Sequence, residues 1–198
     1  GRTGNGIYQR AMERAPIAPA KTRDARIKVA KKRHYIFPDQ LPPSTDDLIF
    51  IEAYKRSFTL RNGKALELRP LLPSDEFAYR NFFYSLQEKT IYMRFFYKMR
   101  TFTHEVAQKQ WASLDYRHNI SIVGLTQKGG HKEIVAIGSY AKEGDDRAEV
   151  AFVVREDCQG QGIGSYLLEL LEVIAKENGY NAFAATVLRE NASMLRVF

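Results

Sequence analysis

Residues 149–165 combine a carboxylate, a strand pattern and a glycine-rich loop. Glu149 opens the apolar stretch 149–154, and the loop 159–165 reads Gln-Gly-Gln-Gly-Ile-Gly-Ser. A glycine-rich turn from a strand into a helix points backbone N–H groups and the positive end of the helix dipole at one place, which favours an anion such as phosphate. A carboxylate on the same strand could take the proton from an amine, whose pKa of about 10.4 in lysine keeps it protonated at neutral pH.

Two common nucleotide-binding fingerprints do not fit this loop. Gly160, Gly162 and Gly164 are each separated by one residue, whereas a dinucleotide fold requires Gly-x-Gly-x-x-Gly and a later acidic residue for the ribose. A P-loop requires a lysine before its Ser or Thr, and Gly164 precedes Ser165. The glycines could also serve only to permit a sharp turn.

The surrounding pattern predicts the elements that would position the loop. Alternating apolar and polar residues around Asn62-Gly63 predict a β-hairpin. Three consecutive antiparallel strands follow, and a helix at 164–178 then leads to a parallel strand at 182–188. We therefore expect an α/β fold with a mixed sheet. The remaining predictions are helices that begin near Pro73, Lys89 and Thr103, strands at 119–127, 133–143 and 147–154, and core positions for Tyr92, Phe95 and Phe96.

The order Gln159-Gly160-Gln161-Gly162-Ile163-Gly164 after a strand resembles the Gln/Arg-x-x-Gly-x-Gly/Ala pyrophosphate loop of the GNAT acyltransferases. Asn191 with Met194 resembles the start of the helix that covers the CoA tail in that family. The resemblance implies a GNAT-like mixed, mostly antiparallel sheet with helices on both faces, whose C-terminal end is incomplete in this sequence. It also implies acetyl-CoA as cosubstrate and no metal, with binding by Phe152, Val153, Val154, Gln159, Gly160, Gln161, Gly162, Ile163, Gly164, Ser165 and Asn191.

In the same family, a glutamate at the start of this strand often acts as general base, which implies that role for Glu149. Many members place a tyrosine seven residues after the asparagine equivalent to Asn191, where its hydroxyl can protonate the CoA thiolate. That position is Phe198 here. Direct attack of an amine on acyl-CoA is therefore one expected function, and a non-catalytic acyl-CoA-binding regulatory module is the alternative.

Several further stretches narrow the resemblance to the GNAT domain of bacterial protein-lysine acetyltransferases. These are the stretches at 68–76, 92–105, 114–124 and 148–154. The resemblance implies a protein lysine as acceptor, although a small amine also fits. Residues 30–43 resemble the C-terminal end of an acetyl-CoA hydrolase/transferase, which implies a CoA-transferase or hydrolase domain fused upstream.

Charge and composition set the expected domain boundary and argue against nucleic-acid, membrane and metal binding. Residues 1–40 carry ten Lys/Arg against three Asp/Glu, so this segment accounts for the whole net charge of +7. We expect a basic helical appendage and Pro-rich linker at 1–53, with a helix at 21–35, and the acyltransferase domain at 54–198.

Because the rest of the chain is neutral, no nucleic-acid partner is expected. The absence of a long apolar run predicts no membrane association, and a single cysteine agrees with a cytoplasmic protein. The four scattered histidines predict no metal site.

Overall fold

The computed structural model describes residues 20–33, 45–97, 101–107 and 114–198. The helices are α1 (Ala20–Lys32), α2 (Thr45–Ala53), α3 (Glu76–Ser85), α4 (Glu88–Phe95), α5 (Ile163–Glu177) and α6 (Ala192–Leu195), and residues 104–107 are also helical. The strands are β1 (Arg56–Thr59), β2 (Ala65–Pro70), β3 (Asn119–Lys128), β4 (His131–Lys142), β5 (Arg147–Val154) and β6 (Ala182–Ala184). None of the helices within these residues is long and apolar enough to cross a membrane.

The six strands form one sheet in the order β1-β2-β3-β4-β5-β6. Neighbouring strands are antiparallel except β5 and β6, which are parallel and joined by α5. Turns predicted from glycine lie where expected, since Gly63 and Gly144 adopt φ angles of +84° and +91°, which non-glycine residues rarely adopt. The predicted mixed, mostly antiparallel α/β fold is confirmed.

Helices cover both faces of the sheet. On one face, Leu167, Leu171 and Ile174 of α5 are fully buried and pack on a cluster that includes Val150 and Phe152 of β5. On the other face, aromatic residues of α3 pack with Ile137 and Val153. Because Val150 and Phe152 alternate with Val153 along β5, both faces of this strand are buried, which agrees with its almost continuous apolar sequence.

Three predicted elements end earlier than expected: β6, α4 and α1. β6 ends at Ala184, not 188, and α4 ends at Phe95 because Phe96 adopts a left-handed φ of 61°. The prediction of core positions for Tyr92 and Phe96 is wrong, since both are exposed, and only Phe95 of the predicted aromatic group packs against the core. The third predicted helix begins as expected, since the Val106 N–H donates to Thr103 Oγ1 at 3.3 Å, but its continuation lies outside the described residues. α1 ends at Lys32, before the predicted residue 35.

Helix α2 lies at the end of the segment that was predicted to be an extended linker. Its Ile51 is buried, with 4% of its surface exposed. The ring of Phe50 lies 5.4 Å from that of Tyr116 and 4.6 Å from that of Tyr54. We therefore propose that the folded domain includes α2 and begins near Thr45, several residues before the expected boundary at 53/54.

A pair of truncations tests this boundary. A chain that begins at Ser44 should keep the thermal transition of the longer protein, whereas one that begins at Tyr54 should melt about 5–15 °C lower, because it loses the buried side chains of Phe50 and Ile51. Circular dichroism melts of both chains provide the measurement. If both truncations melt alike, α2 is not part of the domain.

Candidate functional site

The glycine loop leaves the first turn of α5 open to a ligand. Gly160 and Gly162 adopt left-handed φ angles of +70° and +89°, which bring the loop sharply from the sheet into the helix. Gly162 is the residue before the helix, and no side chain caps it. The N–H groups of Ile163, Gly164 and Ser165 have no carbonyl partner within the helix. The loop therefore presents hydrogen-bond donors at a positive helix end, as expected from its sequence.

Contacts from two directions hold the loop. Gln159 Nε2 donates to the Val154 carbonyl at 2.8 Å and fastens the start of the loop to the end of β5. On the other side, the Asn62 N–H of the β1–β2 turn donates to Gln161 Oε1 at 3.1 Å. Arg61 Nη1 approaches the Gly160 carbonyl at 3.4 Å. The Gln161 side chain is therefore engaged by the hairpin.

A cleft runs from the loop along β5. Its volume is about 580 Å³, within the range of small-molecule and cofactor sites. Every predicted binding residue lines it except Gln161, and residues of α4 together with 190–194 and 196–197 form much of the remaining wall. Four cationic side chains also line the cleft, and the sequence analysis identified none of them: Arg61, Lys89, Arg94 and Arg196.

Within the described part of the chain, no strand pairs with the second half of the edge of β5 that faces this cleft. β6 pairs with β5 only from Arg147 to Glu149, whereas β4 pairs with β5 as far as Val154. The Arg155 N–H donates to the Val135 carbonyl and the Glu143 N–H donates to the Arg147 carbonyl. In an antiparallel pair, the backbone groups of every second residue bond to the partner strand. Because Arg147 and Arg155 bond to β4 or to the residue that follows it, the odd-numbered residues between them also face β4, and the backbone groups of residues 150, 152 and 154 face the cleft. Those of Val153 are directed toward Ile137 of β4.

Glu149 lies where β6 leaves β5. It is the last β5 residue paired with β6, and its exposed carboxylate accepts a hydrogen bond from Thr186 Oγ1 at 3.5 Å. Two smaller cavities meet at Glu149. One, of about 40 Å³, is also lined by Phe96 and Phe198, and the other, of about 260 Å³, by Asn119 and Ser139 among others. Glu149 is therefore accessible from the end of the cleft and from a second opening.

Asn191 and Cys158 lie in the cleft wall with local partners. Asn191 Oδ1 accepts from the Met194 N–H at 3.2 Å and so caps α6. Burial, with the Asp157 carboxylate next to it, raises the pKa of the Cys158 thiol and keeps the thiol protonated, which argues against a nucleophilic role. Within the described ranges, no cluster of three or more His, Cys, Asp or Glu side chains could hold a metal ion.

Comparison with known proteins agrees with this geometry. Residues 86–198 match the Acetyltransferase (GNAT) family, and the chain belongs to that family. It is 32% identical over 144 residues to Acetyltransferase Pat of Mycolicibacterium smegmatis, covering 70% of this chain and 41% of that protein. It is 27% identical over 139 residues to Acetyltransferase PA5475 of Pseudomonas aeruginosa, covering 69% of this chain and 73% of that protein.

A solved structure gives the same assignment. The crystal structure of the GNAT domain of S. lividans PAT superposes with a TM-score of 0.67 at 28% identity, covering 74% of this chain and 85% of that one. This chain spans about two fifths of the length of the mycobacterial relative.

Proposed function

We propose that this protein is an N-acetyltransferase that moves an acetyl or other short acyl group from acyl-CoA to an amine, namely a lysine side chain of a protein. The observation that carries the proposal is the unpaired edge of β5, which begins at an anion-binding glycine loop and ends at an accessible carboxylate. A long ligand with phosphates at one end and a reactive group at the other fits this path.

The chain offers suitable groups along the whole path. The N–H groups at the start of α5 would hold the pyrophosphate, and Arg61 and Lys89 would add positive charge nearby. The backbone groups of Phe152 and the N–H of Val154 would offer hydrogen bonds to the amides of the pantetheine arm, because they face the cleft, whereas the Val154 carbonyl accepts from Gln159. The register makes Val153 unsuitable for that role, although its side chain contributes to the wall. Asn191 would act by holding α6 in place.

Glu149 is the proposed general base. Acetyl-CoA, when bound, supplies the acyl group as an activated thioester. The Glu149 carboxylate would take the proton of the incoming ammonium group, directly or through water, so that the neutral amine can attack the acyl carbon. Phe198 has no proton to give, so the departing sulfur would receive one from water. No acyl-enzyme is needed, since the amine attacks the thioester directly.

The acceptor would reach Glu149 through the cavity of about 260 Å³. Asn119, Ser139 and Glu149 line it, and all three offer polar groups to an amine. The protein-lysine assignment rests on the resemblance of the sequence to bacterial protein-lysine acetyltransferases and on the named relatives. The resemblance of residues 30–43 to an acetyl-CoA hydrolase/transferase, and with it a fused upstream domain, stays a prediction that falls largely outside the described residues.

A transfer assay separates the proposed enzyme from a binding module. The chain is incubated with acetyl-CoA and a panel of lysine peptides and small amines, and mass spectrometry follows the acceptors while a thiol reagent follows released CoA. The proposal expects an acetylated lysine and an equal amount of CoA. Tight binding of acetyl-CoA without transfer to any amine would favour the regulatory module, and transfer only to small amines would change the acceptor class.

A further inference from the structure

Arg94 lies beside Glu149 at the reacting end of the cleft but forms no hydrogen bond or ion pair with any described residue. This partly buried arginine of α4 lines the main cleft and both smaller cavities at Glu149. Among the described residues it forms no hydrogen bond and no ion pair within 4 Å, and its guanidinium carbon lies 5.1 Å from the centroid of the Phe95 ring. The undescribed stretches nearest in sequence, 98–100 and 108–113, contain no acidic residue.

Two other arginines that are buried or half-buried have carboxylate partners, Arg69 and Arg155. Arg69 binds both oxygens of Asp75 at 2.6 and 2.8 Å, and Arg155 binds both oxygens of Asp157 at 2.7 and 3.0 Å. A guanidinium stays charged under all ordinary conditions, and removing its charge from water is unfavourable unless an anion compensates. Burial indeed lowers the pKa of Arg94, although Tyr79 and Glu149 act in the opposite direction.

Arg94 lines both smaller cavities at Glu149, which is the end of β5 away from the glycine loop. Glu149 and Val154 are five residues apart on an extended strand, so the glycine loop lies about 17 Å from the Glu149 end. Arg94 is therefore close to the position of the thioester and the attacking amine. At that position, the planar fork of a guanidinium matches a carboxylate, which it can bind through two parallel hydrogen bonds.

We propose that Arg94 is a specificity-determining residue that binds a carboxylate of the substrates at the reacting end of the cleft. The inference rests on the proposed acyl-CoA function. The carboxylate is carried by the acyl chain, as in succinyl-CoA, or by the acceptor next to its amine. In both cases the guanidinium would also offset repulsion between that carboxylate and Glu149.

Paired ligands that differ only in the carboxylate test the acyl source. Calorimetry measures the affinities of succinyl-CoA and butyryl-CoA for the wild type, Arg94→Gln and Arg94→Lys. The two acyl chains have the same number of carbon atoms, and only the succinyl chain carries a carboxylate. Loss of a charged hydrogen-bonded pair should lower the succinyl-to-butyryl affinity ratio about 10- to 100-fold in Arg94→Gln. Arg94→Lys should recover part of the ratio. Arg61→Gln is the matched control, because a cation at the phosphate end should affect both thioesters by the same factor.

A second arm tests the acceptor source. Acetyl transfer is measured to two lysine peptides that differ by Glu or Gln beside the lysine, and Arg94→Gln should lower the ratio of their kcat/KM values if the carboxylate belongs to the acceptor. A selective loss in either arm supports the inference and identifies the source. Equal effects on charged and neutral ligands in both arms, in variants with wild-type circular dichroism, would overturn it while leaving acyl transfer itself intact. If no CoA thioester binds the wild type, the proposed function fails together with it.

Discussion

Glu149→Gln should slow acyl transfer by about 10²–10⁴-fold at neutral pH, the usual contribution of a general base. The substitution keeps the size of the side chain and its capacity to accept a hydrogen bond from Thr186, but it removes the group that takes the proton. Acetyl-CoA affinity should change little, because Glu149 lies outside the main cleft, at the junction of the two smaller cavities.

The deficit of Glu149→Gln should shrink as pH rises. A lysine amine with a pKa of about 10.4 is increasingly neutral above pH 8, so a growing fraction of acceptor needs no base. Glu143→Gln is the matched control, since Glu143 is an exposed carboxylate whose ion pair with Arg147, at 3.1 Å, lies outside the cleft. Rates of the two variants between pH 7 and pH 10 provide the measurement. A Glu149→Gln rate within about threefold of the wild type at neutral pH would mean that another group is the base.

Gly162→Glu should weaken acetyl-CoA binding by at least about 100-fold. The new side chain would carry a negative charge to the N-terminus of α5, where the phosphates are expected, and the φ of +89° would add backbone strain. Gly162→Ala should have a smaller effect, because it adds a single carbon whose nearest neighbour outside the loop is the Phe58 ring at 3.6 Å.

Gly144→Glu is the control that separates the effect of backbone strain from the effect of a negative charge at the glycine loop. Gly144 has almost the same φ, +91°, and open space around it, but it lies in the β4–β5 turn away from the glycine loop. The control should therefore lose stability in a thermal melt while keeping its acetyl-CoA affinity in calorimetry. A folded Gly162→Glu protein with unchanged affinity would contradict the assignment of the loop.

Local signals were sufficient to predict the loop and most of the sheet. The glycines of the turns and of the loop determine backbone conformation within a few residues, and the apolar runs of β3 to β5 and the periodicity of α5 are strong because both faces of the sheet are covered. Sequence also predicted Glu149 at the start of β5, and the structure places it beyond the end of the main cleft, where the two smaller cavities meet.

Features that depend on distant parts of the chain were missed. Arg61 reaches the loop because the β1–β2 turn contacts Gly160 and Gln161, a contact across 99 residues that leaves no local signal. Whether Val153 or Val154 can offer a backbone hydrogen bond to the ligand depends on the register of β5 with β4. β6 was predicted too long because its apolar residues continue beyond the point where it separates from β5. Arg94 lies in the stretch 92–105 that narrowed the family resemblance, but it gave no signal of a role in the site, since an arginine in a helix usually faces water.

The most direct test of the account is a crystal structure of the chain with acetyl-CoA. The account predicts the pyrophosphate within hydrogen-bond distance of the N–H groups at the start of α5, the pantetheine amides paired with the backbone of Phe152 and Val154, and the thioester at the Glu149 end of β5. Acetyl-CoA bound away from the glycine loop, or with its thioester far from Glu149, would contradict the account.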